Sequence, residues 1–290
     1  MGKIFRKSLR YAVGIILSAL FSGCVMSGRI ENSLFLGEKG GLIKYARDIV
    51  IIPPDSRLPE YERLTYEMSW IGIPVGTMTT SVTGIKKING RDAYVLEAIA
   101  KTNAFFSKIY NIDDRFISYM DIEKLYTLRH EVYRRDGNYK KDAVTEFDQI
   151  NHKANFKNFL DKSEKSFDIP DNVQDILSAC YYFRLLALKV GARVEYYVCN
   201  NEDNYHFLGL IQSKMFIRLP KIGENEAFQL LPYAKLKDAK VDKGRVNAYF
   251  SCDKRRIPLF AVVKGPVFTE VAITLTKIEY EPQSSTKAQP

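Results

Sequence analysis

Histidine is scarce in this sequence, and the lack of paired histidines narrows the chemistry that the chain can carry. His130, His152 and His206 are separated by 22 and 54 residues, so no two have the spacing of metal ligands on one helix face or in one tight loop. Gly-x-Ser-x-Gly elbows, Walker loops and dinucleotide-binding glycine fingerprints are also missing. The sequence therefore predicts no catalytic residue, no metal ion and no cofactor.

Long apolar runs are missing too, apart from one near the N-terminus. Residues 11–21 are mainly apolar but fewer than the roughly 20 that a membrane-spanning helix needs, and basic residues precede them, as in a secretory signal peptide over residues 1–23. The end of this segment, Leu20-Phe21-Ser22-Gly23-Cys24, resembles the lipobox of bacterial lipoproteins, whose cysteine is acylated and becomes the new N-terminus. Phe21 stands where that family usually has leucine, so an uncleaved anchor and an ordinary signal peptide are the alternatives.

Cysteine is equally sparse, with four in the chain. If Cys24 carries lipid, then Cys180, Cys199 and Cys252 remain, and an odd number leaves at least one free thiol in an oxidising compartment. Cys180 falls on the apolar stripe of a predicted helix, which is typical of a small buried side chain. Cys199 and Cys252 both lie at predicted strand ends, so a disulfide between them and two free thiols are both compatible with the sequence.

Charge of one sign is not concentrated in any part of the chain. The formal net charge is +9 at pH 7, but four basic and no acidic residues precede Cys24, which leaves +5 for the exported part. Acidic and basic residues are interleaved through residues 129–148 and 235–245, which is typical of solvated strand faces and unlike the basic stripe of a nucleic-acid-binding protein. We predict no nucleic-acid partner, whereas a weak attraction to anionic lipid head groups is compatible with the charge.

Composition divides the exported part into three segments. Residues 24–60 are rich in turn formers such as Gly40, Gly41 and Pro53, and we interpret them as the lipidated N-terminus and a tether. Residues 61–281 are predicted to form a single β-rich domain, and the polar residues 282–290 a disordered tail. Residues 49–52 are apolar, so an N-terminal subdomain packed on the sheet is the alternative to a tether.

The most regular pattern in the domain is the alternation over residues 63–102. Leu64, Tyr66, Met68 and Trp70 are apolar at every second position, which is the period of a half-buried strand. A turn over residues 71–76 leads into a threonine-rich second strand. The Asn89-Gly90 pair then predicts a type I′ hairpin, so residues 91–102 should pair antiparallel with that strand.

The rest of the domain is predicted to continue this sheet, interrupted by one amphipathic helix. We predict the helix over residues 171–189, with Asp171 and Gln174 as a capping box and an apolar stripe that must cover the sheet. About ten strands can be counted, and sheets of that size tend to curl or close. The predicted fold is mainly β, an antiparallel β-barrel or half-barrel with the helix packed on its concave face.

Two short stretches are candidate ligand or partner surfaces. Phe105, Phe106 and Tyr110 recur at the spacing of a short helix between strands; exposed, they would suit an amphiphile or a membrane, and buried, they would be a lid on the core. Arg255 and Arg256 could recognise a phosphate or carboxylate as a forked pair of guanidiniums. The alternative for this second stretch is a hairpin turn with solvated charges.

Three motifs resemble those of the domain of unknown function family 3108. They are residues 62–66 together with 70–76, residues 171–184, and residues 251–258. The resemblance spans residues 61–280 and implies an exported bacterial protein without an assigned activity. Cys252 departs from the family, which tends to have an acidic residue there, so no role for a carboxylate pair is carried over.

Three functions are compatible with a curved sheet in the cell envelope. The first is a non-enzymatic lipoprotein that binds or carries a lipid or glycolipid, which requires an apolar cavity of several hundred Å³. The second is a scaffold or interaction lipoprotein that assists envelope assembly through a sheet edge or the aromatic turn, and its interior can be solid. The third is an envelope glycan hydrolase, which requires two carboxylates facing each other across a cleft.

The predicted location is the outer membrane, with the domain facing the periplasm. Val25 rather than aspartate follows Cys24, which resembles the outer-membrane sorting signal of lipoproteins in hosts with two membranes. The expected partners are the membrane, through the N-terminal lipid, and either a lipid or glycolipid ligand or an envelope protein.

Replacing the acylated cysteine tests the predicted anchor. Cys24→Ala should release a soluble exported form, because the lipid supplies the stable membrane affinity. Cell fractionation measures the result, and unchanged membrane association of the variant would contradict lipidation.

Overall fold

The computed structural model describes residues 50–53, 56–236, 239–241, 245–264 and 270–280. The predicted signal peptide, Cys24 and the predicted tail over residues 282–290 lie outside the described residues. The last part of the predicted tether is described and touches the domain: Val50 donates its N–H to the Arg193 carbonyl at 3.3 Å, and Leu58 is buried. Contacts with the sheet therefore begin before residue 61.

The described strands form one large sheet. Fifteen of them follow the order β8-β7-β6-β5-β4-β3-β2-β1-β16-β15-β14-β12-β11-β10-β9, and β13 pairs with β12 beside this path. All pairs are antiparallel except β9 with β10. The strands are β1 (Glu62–Trp70), β2 (Ile73–Ile88), β3 (Arg91–Thr102), β4 (Asp113–Asp121), β5 (Thr127–Asp136), β6 (Tyr139–Asp148), β7 (Lys153–Asn158), β8 (Glu164–Asp168), β9 (Gln174–Asp175), β10 (Arg193–Asn200), β11 (Asp203–Leu219), β12 (Gly223–Leu236), β13 (Ala239–Val241), β14 (Arg245–Ser251), β15 (Pro258–Lys264) and β16 (Glu270–Glu279).

The mainly β, antiparallel character of the fold is confirmed, but the predicted count of about ten strands is wrong and the sheet does not close into a barrel. Its edges are the two short strands β8 and β9. β8 is polar and mostly exposed, so its sequence lacks the alternation that marks a half-buried strand. β9 has two residues, and both fall within the segment that the sequence pattern predicts as the start of the helix.

The first three strands follow the sequence pattern closely. Leu64, Tyr66, Met68 and Trp70 are all buried along β1, and β3 has the predicted bounds. Asn89 and Gly90 have φ of 49° and 82°, as a type I′ turn requires. Local alternation and turn chemistry together were enough to fix this part of the sheet.

The helix, α1, runs from Ile176 to Leu185 and is shorter than the predicted span of residues 171–189. Its N-cap is Asp175 rather than Asp171: the Asp175 carboxylate accepts hydrogen bonds from the N–H of Leu177 at 2.8 Å and of Ser178 at 3.1 Å. The chain cannot begin the helix earlier, because Gln174 and Asp175 are paired with β10. At the other end Leu186 is extended.

Helix α1 fills the concave side of the curved sheet. Its side chains join a core cluster with inward-facing residues from both halves of the sheet, and the rings of Phe183 and Phe250 lie 4.3 Å apart between centroids. Each fully buried side chain of this size contributes about 1.5–3 kcal/mol. The predicted packing of one helix on the sheet is confirmed. No helix of the described residues is both long and apolar enough to cross a bilayer.

A buried ion pair fixes the C-terminal end of α1. The Arg184 guanidinium donates to the Glu62 carboxylate on β1 at 2.6 and 2.8 Å, and both side chains are almost completely buried. Arg184 also donates from Nε to the Arg255 carbonyl at 3.1 Å. Buried charges are tolerated only when paired and hydrogen-bonded, so this geometry ties the helix to both β1 and the β14–β15 turn.

The two aspartates give a direct test of where the helix is capped. Asp175→Ala should lower the free energy of unfolding by about 3 kcal/mol, because it removes the cap and leaves buried N–H and hydroxyl groups unpaired. Asp171 is 81% exposed in its side chain, so Asp171→Ala should change stability by less than about 0.5 kcal/mol. Urea unfolding of both variants measures this, and equal losses would contradict the assignment.

Candidate functional site

An exposed apolar surface lies at one end of the sheet, where the β1–β2 turn meets the β3–β4 loop. In an antiparallel path every second turn lies at the same end, and here β1 and β3 both run toward it. Ile71 and Ile73 are each 51% exposed and Phe105 is 67% exposed. We call these three residues the apolar tip.

Asn103 holds the two halves of the apolar tip together. Its side-chain oxygen accepts from the N–H groups of Phe105 at 3.1 Å and Phe106 at 2.9 Å, while its Nδ2 donates to the Pro74 carbonyl at 3.0 Å. The Asn103 N–H also donates to the Val75 carbonyl at 2.9 Å. The loop is thus pinned to the start of β2 beside Ile73, so the exposed side chains are presented in a fixed arrangement.

Ile71 occupies an unfavourable backbone conformation. Its φ is 49°, followed by Gly72 at 75°, the geometry of a two-residue type I′ hairpin that favours asparagine, aspartate or glycine. A β-branched residue in the left-handed region costs about 1–2 kcal/mol, and the 51% exposure of Ile71 limits how much of this cost burial can offset. The sequence pattern predicts a turn here. It also contains a signal that the prediction did not use, namely an isoleucine at a turn position that disfavours β-branched residues.

The structure separates the three predicted aromatic residues. Phe106 starts a single 3-10 turn, Phe106–Lys108, and is buried, so it is a lid on the core and not part of an exposed surface. Tyr110 is half-buried, with its ring against the backbone of Gly137 and its hydroxyl 3.3 Å from the Asp136 carbonyl. Phe105 packs edge-on against Phe106 at 5.2 Å and alone remains on the surface.

Arg255 and Arg256 do not converge as a forked pair. Arg255 donates from Nε to Asp253 at 2.9 Å and from Nη1 to the Tyr280 hydroxyl at 2.6 Å. Arg256 donates to the Cys252 carbonyl at 2.5 Å and lies over the Phe228 ring at 5.3 Å. The two guanidiniums are engaged within the β14–β15 turn, as the alternative of a charged hairpin turn expected.

The polar groups buried around Asp175 are arranged as a helix cap and not as a catalytic triad. Besides the two helix N–H groups, the carboxylate accepts from the Thr127 hydroxyl at 2.9 Å and from the Ser118 hydroxyl. His130 Nε2 lies 3.9 Å from Asp175. In a nucleophilic triad the serine donates to the histidine, whereas here Ser118 donates to the aspartate and is fully buried.

The described residues show neither a metal site nor a disulfide. Within the ranges that the structure describes, no group of three or more His, Cys, Asp or Glu side chains could hold a metal ion. Cys180, Cys199 and Cys252 are free thiols, so the disulfide between Cys199 and Cys252 is not formed. Burial raises the pKa of both Cys180 and Cys199 to about 12, which leaves these two thiols protonated and unreactive at neutral pH.

The cavities differ between the two faces of the sheet. On the concave side of β4–β7 there is a cavity of about 30 Å³, closed on one side by Asn200 and Asn201. On the opposite face of these strands a groove of about 490 Å³ is lined mainly by polar and charged side chains, among them Arg129, Glu146, Lys157 and Glu164. Neither has the size and apolar lining that an enclosed acyl chain requires.

The sheet edge at β8 is covered by side-chain contacts from the other end of the sheet. Lys165 pairs with Glu202 at 2.6 Å, and Asn204 donates to the Asp168 carbonyl at 2.7 Å. These contacts bring the β10–β11 hairpin against β8. A short, charged and covered edge of this kind resists pairing with another strand.

Comparison with known proteins places the chain among proteins without assigned activity. The family model described as "Protein of unknown function (DUF3108)" matches residues 65–270, and no curated protein matches the sequence. A crystal structure from Brucella abortus, a β-barrel-like protein of the domain of unknown function DUF1849, is 6% identical with a TM-score of 0.51, covering 77% of this chain and 98% of that one. That likeness concerns the fold alone.

Two other solved structures are similar at lower scores. One, from Bacteroides fragilis, is provisionally described as an exported protein with a YmcC-like fold; it is 10% identical, with a TM-score of 0.32, and covers 77% of this chain and 98% of its own. The other, from Parabacteroides distasonis, is provisionally described as a lipoprotein; it is 6% identical, with a TM-score of 0.33, and covers 77% of this chain and 97% of its own.

Proposed function

We propose that this chain, which belongs to the DUF3108 family of proteins of unknown function, is an exported, lipid-anchored protein of the cell envelope that acts without catalysis and rests on a membrane surface through its apolar tip. The lipobox-like sequence before Cys24 supports the anchor. Val25 after it supports the outer membrane, with the domain on the periplasmic side.

The observation that carries the proposal is the exposure of Ile71, Ile73 and Phe105 on two loops that are pinned together. A strained backbone at Ile71 points the same way, because strain is retained where surrounding structure and function require it.

The free energy expected from inserting the apolar tip into a bilayer is enough for a domain that is already tethered to the membrane. Burying three half-exposed apolar side chains supplies about 3–4 kcal/mol, which corresponds to a dissociation constant in the millimolar range. A lipid anchor on a flexible linker provides an effective concentration of that order. The tip would therefore orient the anchored domain on the bilayer, and would not by itself retain an unanchored chain.

The other functions have less support from the geometry. A carrier of lipid or glycolipid would need an enclosed apolar cavity, whereas α1 packs on the concave face and the polar cavity over β4–β7 has a volume of about 30 Å³. A scaffold that recruits another strand would need a free edge, and β8 is covered. For a glycan hydrolase, the buried carboxylates of Asp114 and Asp175 are each engaged inside the protein, and neither faces a cleft.

The single tryptophan reports directly on the tip, because Trp70 immediately precedes Ile71. The full exported chain carrying Cys24→Ala is mixed with phosphatidylethanolamine–phosphatidylglycerol vesicles that contain a nitroxide-labelled lipid. Trp70 fluorescence should be quenched at millimolar lipid. Phe105→Ser should weaken this by about tenfold, the effect of removing roughly 1.4 kcal/mol of apolar burial.

Ile71→Asn separates the membrane role from the fold. It should weaken quenching and at the same time raise the free energy of unfolding by about 1 kcal/mol, since asparagine tolerates the left-handed conformation. The matched control is Ile150→Asn: Ile150 is 80% exposed on the β6–β7 turn at the opposite end of the sheet, and its replacement should change neither quantity. Absence of quenching in the parent chain, or equal loss in both variants, would overturn the membrane contact and favour a protein partner.

A further inference from the structure

The small cavity on the concave face of β4–β7 takes no part in the proposed membrane contact. Its volume of about 30 Å³ is room for about two water-sized groups. Its polar lining comes from His130, Arg134, Lys141, Asn200 and Asn201. The β10–β11 turn closes one side, with Asn201 and Glu202 both at positive φ, 48° and 75°.

Lys141 is a half-buried cation that forms no direct ion pair with a described carboxylate, and Glu202 and Asp161 act on it only at longer range. Its ammonium donates to Asn201 Oδ1 at 2.9 Å and lies 4.7 Å from the centroid of the Phe156 ring. None of the ion pairs found among the described residues joins it to an acid, and Glu202, at the same turn, pairs with Lys165 at 2.6 Å. Burial lowers the pKa of Lys141 and outweighs the attraction of Glu202 and Asp161.

His130 faces the same cavity and has an unused hydrogen-bonding group. Its Nε2 is buried without a hydrogen-bond partner, and the 3.9 Å that separate it from Asp175 exceed a hydrogen bond. The ring is held nearly parallel to that of Phe116, with centroids 6.4 Å apart. An unpaired buried polar group costs free energy that a bound ligand would recover.

Arg134 adds little charge to the cavity, because two carboxylates neutralise it. Its Nε lies 3.1 Å from Asp114 and its Nη2 2.8 Å from Asp136. Lys141, which has only the longer-range attraction of Glu202 and Asp161, therefore supplies the least compensated positive charge in the cavity lining. The side chains of Asn200 and Asn201 add neutral polar groups to the same lining.

We propose that this cavity binds one small oxyanion, the phosphate or carboxylate group of a solute, with Lys141 as the charged partner and His130 and the two asparagines as further donors. The volume holds about two water-sized groups, which is room for two oxygens of a phosphate or carboxylate group. A larger ligand would enter with its anionic end only, and its remainder would stay outside the β10–β11 turn.

The test is a calorimetric titration at low ionic strength of inorganic phosphate into the full exported chain carrying Cys24→Ala. Lys141→Met should weaken binding by at least about tenfold, the loss expected for one charge-assisted hydrogen bond. Lys140→Met, one residue away on the exposed side of β6, should leave binding unchanged. Because Lys141 is half-buried and forms no direct ion pair, Lys141→Met should also unfold at the same temperature as the parent or higher, which excludes misfolding as the cause.

A second arm distinguishes a free anion from the head of an amphiphile. Lysophosphatidic acid should bind through the same residue, and tighter binding than inorganic phosphate would assign the site to an amphiphile. Equal loss of phosphate binding in Lys140→Met and Lys141→Met, or no heat of binding in the parent chain, would overturn the proposal. Neither outcome affects the membrane contact, which is measured at Trp70 on a different part of the sheet.

Discussion

A carboxylate buried in a protein interior must have its hydrogen bonds supplied by the protein. The Asp175 carboxylate therefore requires that α1 and strands β4 and β5 stay together. Two of its donors are N–H groups at the start of α1, and two are the hydroxyls of Ser118 on β4 and Thr127 on β5. Any displacement of the helix from the sheet would leave these groups unpaired in a low-dielectric interior. The helix is therefore held on the concave face by polar chemistry as well as by apolar burial.

The opposite end of α1 has a matching constraint in the ion pair of Arg184 with Glu62. With both ends fixed, the helix occupies the space that a carrier of this architecture would keep open for its ligand. Recognition sites are therefore sought on the surface and in small polar cavities such as the one over β4–β7. This explains why the exposed loops at Ile71 and Phe105 and the cavity at Lys141, and not the core, provide the candidate sites.

Sequence patterns predicted those parts of the molecule that depend on near neighbours. Alternation along β1 and the Asn89-Gly90 turn are local, and the structure has both. The start of α1 was misplaced because the donors that select Asp175 over Asp171 come from residues 57 and 48 positions away. Strand β8 was missed because a covered polar edge has no buried face to produce a periodic pattern.

The candidate sites were only partly predictable for the same reason. The sequence indicated an aromatic turn, but whether Phe105 or Phe106 is exposed depends on how Asn103 clamps the loop to β2. It likewise could not show that Lys141 would lie next to Asn201 and not next to an acid, since 60 residues separate them. Ile71 differs from these two sites because its signal is local: a β-branched residue before glycine in a tight hairpin is visible in the sequence itself.

Native-state hydrogen exchange at the start of α1 tests the central claim that the helix is a permanent part of the interior. The amides of Leu177 and Ser178 donate to Asp175, so they should exchange only through global unfolding, with a protection free energy equal to that of denaturant-induced unfolding. Exchange of these two amides through an opening several kcal/mol below global unfolding, while the amides of β1–β3 stay protected, would contradict the account. It would show that α1 lifts from the sheet as a lid over a ligand site.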